Sequence, residues 1–401
     1  MNNVLLEETA AASPSHGAHR PLRILVAHNV ARARTGGMSR IMGFIHDHVE
    51  AAGHEVEYFT AEDAGGRLGG RLSRFSFPVL VRRHAARAAR AGRAFDVVNV
   101  HEPSSAVVAA FKKGAGDPAV VVTSHGVERR GWRLALEELR LGRRGPSLKT
   151  RVVYPLTGLS QADAGLRRAD HVFCLNYEDR DYLVGELGRA PERVTRIYPA
   201  AGEAFSSASR ARSYARCRRV LFAATWRKNK GVEDLVPAYA ELAARDARLE
   251  LAVLGAGVPD AEVRAAFPAE VRARVRCVRA ETEAETAAAF ADADLFVLPS
   301  LFEGTPLTLV EAMASGLPVV TTATCGMRDV VRDGENGLLV PTRSPSAIAS
   351  AVERLVGDES LRARLGSHAR AEAAERYRWN LVAAPVLEVY ERLCAARGGR
   401  V

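Results

Sequence analysis

At 401 residues, and with about 150 residues to a domain, the chain is long enough for two domains with separate cores, which excludes a peptide, a coiled coil and a disulfide miniprotein. Hydrophobic residues make up 47%, charged residues 26% and aromatics 6%, with 33 Gly and 18 Pro, so disorder or collagen-like repetition across the whole chain is excluded as well. The formal net charge of +9, carried by 51 Arg and only five Lys, favours acidic partners such as nucleotides, phosphates, anionic lipid or nucleic acid without choosing among them.

The five cysteines (Cys174, Cys217, Cys277, Cys325, Cys394) are far apart, odd in number and never paired as C-x-x-C, so they read as buried thiols in a reducing compartment. No run approaches the roughly 18 consecutive apolar residues of a spanning helix, and the first twenty residues lack a basic start followed by an apolar core. The expectation is a cytoplasmic protein, peripheral to the inner face of the plasma membrane if it meets a membrane at all.

In chain order, residues 1–20 are polar and small and predict a disordered tail. From residue 21 onward, short β-branched runs alternate with Ala-, Arg- and Glu-rich stretches, the pattern of a parallel sheet with helices on both faces. Strands are predicted at 23–28, 55–59, 96–100, 119–124, 171–175 and 194–198, in a first domain of 21–198, with a helix at 39–52. Residues 199–218 lack apolar periodicity and predict a linker. The alternation restarts with strands at 220–223, 249–254, 275–278, 295–299, 319–322 and 337–340, in a second domain of 219–375. Helices at 345–357 and 376–396 close the chain, the last within a C-terminal segment of 376–401. Two doubly wound α/β domains in tandem follow. Ligands of such sheets bind outside the carboxyl ends of the strands, so the cleft between the domains is the expected site.

The most informative segment runs from Leu298 to Val320. A strand ends, a loop carries Glu303 and Gly304, and Thr305-Pro306 reads as N-cap and first helical residue. Unpaired amides and the positive end of the dipole make such a terminus a site for phosphate. Glu303 and, eight residues on, Glu311 bracket that position and are placed to accept hydroxyl hydrogen bonds. A lone pair at this spacing would read as a dipole-favouring acid and a solvated helix residue; the strand, the Gly-Thr-Pro loop and the strand that follows set this pair apart.

The second segment, 224–235, follows the first strand of the second domain and holds Thr225, Arg227, Lys228 and Lys230-Gly231. A basic first turn opposes the helix dipole, so a bound anion explains it better than a solvated face does. Third, Gly36 and Gly37 lie between the first strand and its helix, where glycine allows close backbone approach to a ligand or simply a turn. Fourth, His125 ends an apolar strand and His101 the strand before it; a strand-end histidine is more often solvated or bonded to backbone than functional. Gly255 after the 249–254 strand and Arg279 after the 275–278 strand are weaker candidates for nucleotide contact.

These segments resemble the retaining glycosyltransferases of family 4, whose hallmark E-x7-E is matched by Glu303 to Glu311; the resemblance extends from Arg23 to about Arg392. It implies a GT-B fold, two facing Rossmann-like domains with a deep cleft, and transfer of a sugar from a nucleotide-sugar, UDP- or GDP-sugar foremost, to a hydroxyl of a glycan, glycolipid, lipid-linked or small-molecule acceptor in polysaccharide or glycolipid biosynthesis. It makes Glu303, Lys230 and His125 the catalytic candidates. Gly36, Gly37, Arg227, Lys230, Gly255, Arg279, Gly304, Thr305, Pro306, Leu307 and Glu311 become donor-site candidates, with Glu303 beside the donor sugar and Glu311 on the ribose. It implies no metal and no cofactor. The chain departs from the pattern at Thr225, where the family carries an arginine beside the donor diphosphate; Arg227 or Lys228 would have to reach back in its place. A phosphorylase or epimerase of the same fold, and a nucleotide-binding scaffold without turnover, stay open as alternatives.

The stretch 67–93 has eight arginines, Arg67 first and Arg93 last, with Phe75, Phe77, Val79 and Leu80 among them and no acid. It reads either as a contact with anionic membrane or as a solvated arginine face. With no stacking platform or reading helix evident, nucleic acid is not expected as a partner.

Overall fold

The computed structural model describes residues 20–29, 37–64, 73–110, 116–210 and 212–397. Its first sheet is built from β1 (Arg23–His28), β2 (Glu55–Thr60), β3 (Val97–His101), β4 (Ala119–Thr123), β5 (His171–Cys174) and β6 (Val194–Arg196), in the order β2-β1-β3-β4-β5-β6. Its second holds β7 (Arg219–Ala223), β8 (Glu250–Leu254), β9 (Val275–Val278), β10 (Leu295–Leu298), β11 (Val319–Thr322) and β12 (Leu338–Val340), in the order β12-β11-β10-β7-β8-β9. Every pairing is parallel, as the short runs buried on both faces require. All twelve predicted strands are present, with ends differing by at most two residues.

Both orders reverse direction once. In the first sheet the chain leaves β1 for β2 on one side and β3 on the other; in the second, β7 is flanked by β8 and β10. Adjacent loops at these switch points point opposite ways and leave a crevice at the carboxyl ends of the strands. Strand topology alone therefore brings the loop after β7 beside the loop after β10, and the end of β1 beside the end of β3.

The first sheet is covered on both faces. Ile24 and Val26 point to one side, where they meet Ile41 and Ile45 of the Gly37–Ala51 helix; Leu25 and Ala27 point to the other, with Phe59, Phe77 and Val81. The final helix, Trp379–Ala395, returns to the first of these faces with Val382, Val386 and Tyr390. The stretch read as a linker carries the short helix Glu203–Ala208, whose Phe205 is buried in the second domain's core. The guanidinium of Arg212 ties this stretch to the same domain by donating to the carbonyls of Ala293 (2.6 Å), Ser315 (2.7 Å) and Phe290 (2.8 Å). Backbone-directed ties from one arginine leave no apolar period for the sequence to display.

Of the basic stretch, 67–72 lie outside the described residues; the rest forms the helix Ser73–Arg90. Phe77 is core, Val79 and Leu80 are half-buried, and Phe75 alone of the four apolar residues is exposed. No helix among the described residues is long and apolar enough to cross a membrane.

The returning helix is fixed by a buried polar chain. Thr123 Oγ1 donates to Asn99 Oδ1 (2.9 Å), Asn99 Nδ2 donates to the Tyr390 hydroxyl (2.7 Å), and that hydroxyl lies 3.2 Å from His46 Nε2. His46 Nδ1 faces the Met42 carbonyl at 2.7 Å and must donate there, so Nε2 accepts from Tyr390. Burial pushes the His46 imidazole down to about 4, which keeps this tautomer neutral. Tyr390→Phe strands Asn99 and His46 and is expected to cost about 1–3 kcal/mol, measured as the denaturation midpoint by circular dichroism; an unchanged midpoint would show that the chain is not a constraint.

Candidate active site

The second domain's contribution begins at Gly231. Its φ is +72°, and a β-carbon there would lie 1.8 Å from the Pro299 carbonyl oxygen, so only glycine lets the loop after β7 close onto the loop after β10. Leu301 N donates to Asn229 O (2.8 Å) and locks the two loops. Lys230 and Glu303 are thereby brought together: Lys230 Nζ stands 2.5 Å from Glu303 Oε1, which also accepts from Ser300 Oγ at 2.9 Å.

The loop then leads into the helix Leu307–Ala314. Thr305 and Pro306 do not start it as expected. Pro306 itself, with ψ of 124°, is the N-cap, because the Thr305 hydroxyl donates across the cleft to the Leu175 carbonyl (2.5 Å) instead of capping the helix. Leu307 leaves its own domain and packs in the first domain's core. Asn176 Nδ2 reaches the carbonyls of Gly304 (3.2 Å) and Glu303 (3.3 Å) from the other side. A β-carbon on Gly304 would lie 2.7 Å from the His125 carbonyl oxygen, and one on Gly326 would lie 2.1 Å from Thr305 Oγ1. The two domains thus meet backbone to backbone at the E-x7-E loop.

Glu311, in the second turn of that helix, is fully buried. Arg40 of the first domain places Nη2 2.6 Å from Glu311 Oε1 and 3.6 Å from Glu283 Oε2, although neither Glu311 oxygen receives an aligned hydrogen bond. Burial pushes the Glu311 carboxyl up to about 7; Arg40 acts in the opposite direction and Glu283 adds to the rise. Beside this group a cavity of about 330 Å³ opens between the two domains, lined by Ser39, Arg40 and Phe44 on one side and Ala280, Thr282 and Glu283 on the other.

On the first domain's side three histidines gather at strand ends. His28, His101 and His125 close β1 and β3 and follow β4; ring centroids are 5.5 Å apart for His28 and His101 and 4.9 Å for His101 and His125, and His125 Nε2 lies 3.1 Å from His101 Nδ1. Burial moves the His125 imidazole down to about 4 and His101 well below its usual value, so both rings are neutral near pH 7. Glu102 goes the other way: burial raises its carboxyl to about 8, one oxygen accepts from Glu128 N (3.0 Å), and the other has no partner. Among the described residues no group of three or more His, Cys, Asp or Glu is disposed to hold a metal ion.

The remaining candidates are placed as follows. Gly36 lies outside the described residues, and Gly37 opens the first helix with free space where a β-carbon would sit. Gly255 and Gly257 both have positive φ, and Thr225 is exposed next to Gly257. Arg227 is exposed, while Lys228 is drawn to the first domain, donating to the Arg144 carbonyl (2.6 Å) with Glu138 at 3.3 Å. Arg279 is exposed and pairs with Asp260 at 3.1 Å. Arg40, His28 and Asn176 were not singled out from the sequence; each acts across a separation that no local spacing displays.

Two family patterns match in tandem: that described as Glycosyltransferase Family 4 over residues 35–201, and that described as Glycosyl transferases group 1 over residues 217–358. The D-inositol 3-phosphate glycosyltransferase of Salinispora arenicola is 30% identical over 351 residues, covering 82% of this chain and 75% of that protein. The protein of the same name from Streptomyces bingchenggensis is 33% identical over 255 residues, 58% of this chain; the match spans only 54% of that relative's length. The phosphatidyl-myo-inositol mannosyltransferase of Mycobacterium leprae is 34% identical over 202 residues, 50% of this chain and 53% of that one. Among solved structures, sucrose-phosphate synthase from Thermosynechococcus elongatus has a TM-score of 0.74 at 22% identity, covering 94% of this chain and 100% of that chain. Anabaena HepE in complex with UDP and glucose has a TM-score of 0.65 at 17% identity, covering 92% and 100%. The structural likeness establishes the GT-B fold, and the sequence relationship places the chain in glycosyltransferase family 4.

Proposed function

We propose that this chain is a retaining hexosyltransferase that moves a sugar from a UDP- or GDP-sugar to a hydroxyl of a cyclitol, glycolipid or glycan acceptor. The observation that carries the reading is the pairing of Lys230 with Glu303 at 2.5 Å beside a helix that buries Glu311, at the junction of two domains. The names of the relatives, which concern inositol 3-phosphate and phosphatidyl-myo-inositol, support an inositol-type acceptor.

In this reading the donor ribose replaces Arg40 as the partner of Glu311. A sugar hydroxyl takes up the Glu303 carboxylate, and Lys230 turns to the diphosphate. Charge develops on the diphosphate as the anomeric C–O bond breaks, and a preformed cation there is the largest lever on the barrier. The acceptor oxygen forms the new bond to the same face of the anomeric carbon, and its proton passes to a phosphate oxygen of the leaving group. Neutral His125 is suited to a sugar hydroxyl, since it can accept or donate without bringing in charge. The proposal needs no resident metal or cofactor.

A second reading, a nucleotide-binding scaffold without turnover, is favoured by one feature: Thr225 replaces the usual arginine and Lys228 is engaged with Glu138. The two are separated by a thermal-shift and turnover screen against UDP-, GDP- and ADP-sugars. Stabilisation by one nucleotide with slow donor hydrolysis supports the transferase; stabilisation without hydrolysis supports the scaffold; no response to any nucleotide overturns both.

Lys230→Ala is expected to lower turnover about 10²–10³-fold while leaving nucleotide binding within a few-fold, read by steady-state kinetics and calorimetry. Glu311→Ala is expected to weaken nucleotide binding roughly 10- to 100-fold, and an unchanged Kd would remove Glu311 from the donor site. Glu311→Gln isolates the buried acid. Because its folded value of about 7 lies above the unfolded 4.5, its contribution to stability is present below pH 4.5 and is lost as pH rises through 7. Relative to wild type, the glutamine variant should therefore gain up to about 3 kcal/mol between those limits, followed as denaturation midpoints against pH.

A further inference from the structure

Residues 139–162 contain Arg140, Arg143, Arg144, Lys149 and Arg151 and no Asp or Glu. Within them the helix Leu148–Tyr154 runs on into Pro155–Leu159, and it presents its apolar side outward. Leu148 is 70% exposed, Val152 59% and Leu156 76%. Their spacing of i, i+4 and i+8 puts them on one face, with Val153, also exposed, beside them. Scattered apolar residues are ordinary on a surface, but an outward stripe at helical spacing is not.

The opposite side is the anchored one. Tyr154 packs on Trp132 with ring centroids 5.0 Å apart, and its hydroxyl donates to Glu128, whose own amide donates to Glu102 next to His101. The stripe is thereby held at the rim of the histidine side of the cleft. Beyond Leu156 a shallow cavity of about 400 Å³ is lined by Phe75, Ala106, Val107, Ser160 and Arg168, so exposed Phe75 extends the same patch. Lys149 and Arg151 on the same helix and Arg168 at the cavity are exposed without a carboxylate partner among the described residues.

We propose that this face is the surface by which the protein rests on an anionic bilayer, the stripe entering the headgroup region and the unpaired cations meeting lipid phosphates. Charge complementarity selects the occupant: an acid-free basic border around an apolar stripe is attracted to anionic lipid, whereas in a second copy of this face the same cations would oppose one another. The assignment centres the membrane contact on 148–156 and takes only Phe75 from the Ser73–Arg90 helix, whose Phe77 is committed to the core. It rests on the transferase reading only for its purpose, which is to hold the acceptor side of the cleft over a lipid-linked hydroxyl.

The test is flotation of the full chain with phosphatidylcholine vesicles and with vesicles that also contain phosphatidylglycerol. Wild type should float with the anionic vesicles and largely remain behind with the zwitterionic ones. Leu148→Ser, Val152→Ser and Leu156→Ser combined should abolish flotation while leaving the melting temperature and donor hydrolysis in solution unchanged. Lys149→Gln with Arg151→Gln should lower partitioning roughly 25-fold, two lipid-facing charges each contributing about fivefold. Failure of wild type to float, or flotation indifferent to the serine triple variant, overturns the proposal whatever the fate of the hydrolysis assay. A dimer that forms without lipid and disappears in the triple variant would overturn it in favour of self-association.

Discussion

Gly304 lies so close to the His125 carbonyl oxygen that no β-carbon fits between them, and the geometry of the cleft is built around that contact. It fixes how far apart the two sheets stand. Gly126, with φ of +130°, is part of the same seat: a β-carbon there would lie 3.0 Å from the Phe302 ring. Residues on either side inherit their positions from it. Glu303 is turned toward Lys230 within its own domain, Thr305 hooks the Leu175 carbonyl, and Leu307 is carried into the neighbouring core. A loop that serves chemistry also serves as the mechanical joint, which ties catalytic geometry to domain packing.

Around that seat the structure holds titratable groups where burial disfavours their charged forms. The Glu311 carboxyl is sealed from water with an ion pair to Arg40 but no aligned hydrogen bond, a costly arrangement for a group with no further use. Glu102 is held neutral by its surroundings, as are His101 and His125. Groups displaced in opposite directions and gathered at strand ends are the signature of a site that waits for a ligand to complete its hydrogen bonding. The topology explains why they gather there, since both switch points open at the same cleft.

Much of this was legible in the sequence. The strands announced themselves as short continuous β-branched runs, and the loops carrying Glu303, Lys230 and His125 followed from where those runs stop. The misjudged start of the 307–314 helix has a simple cause: Thr305-Pro306 is a fair local cap, but a carbonyl 130 residues away in the chain competes for the hydroxyl and wins. Arg40 and Asn176 share that difficulty, because their partners Glu311 and Gly304 are distant in the chain and their own neighbourhoods are ordinary helix and loop. The apolar stripe at 148–156 was hidden for the opposite reason. Its spacing is that of any amphipathic helix, and only the fold reveals that the apolar side faces out.

A second seam joins the domains along another edge, and it is of a different kind. Glu138 accepts from Arg343 at 2.5 Å and lies 3.3 Å from Lys228, while Arg143 donates to Asp234 at 2.8 Å. Both carboxylates are buried while their cations keep some solvent contact, so this seam holds through charge sheltered from salt, where the Gly304 seat holds through shape. The two seams therefore hold the domains by different means, close backbone approach at Gly304 and paired charge at Glu138. Removing either partner of the charged seam would leave a buried charge unpaired, so that edge tolerates the loss of a side chain no better than the Gly304 edge tolerates a β-carbon.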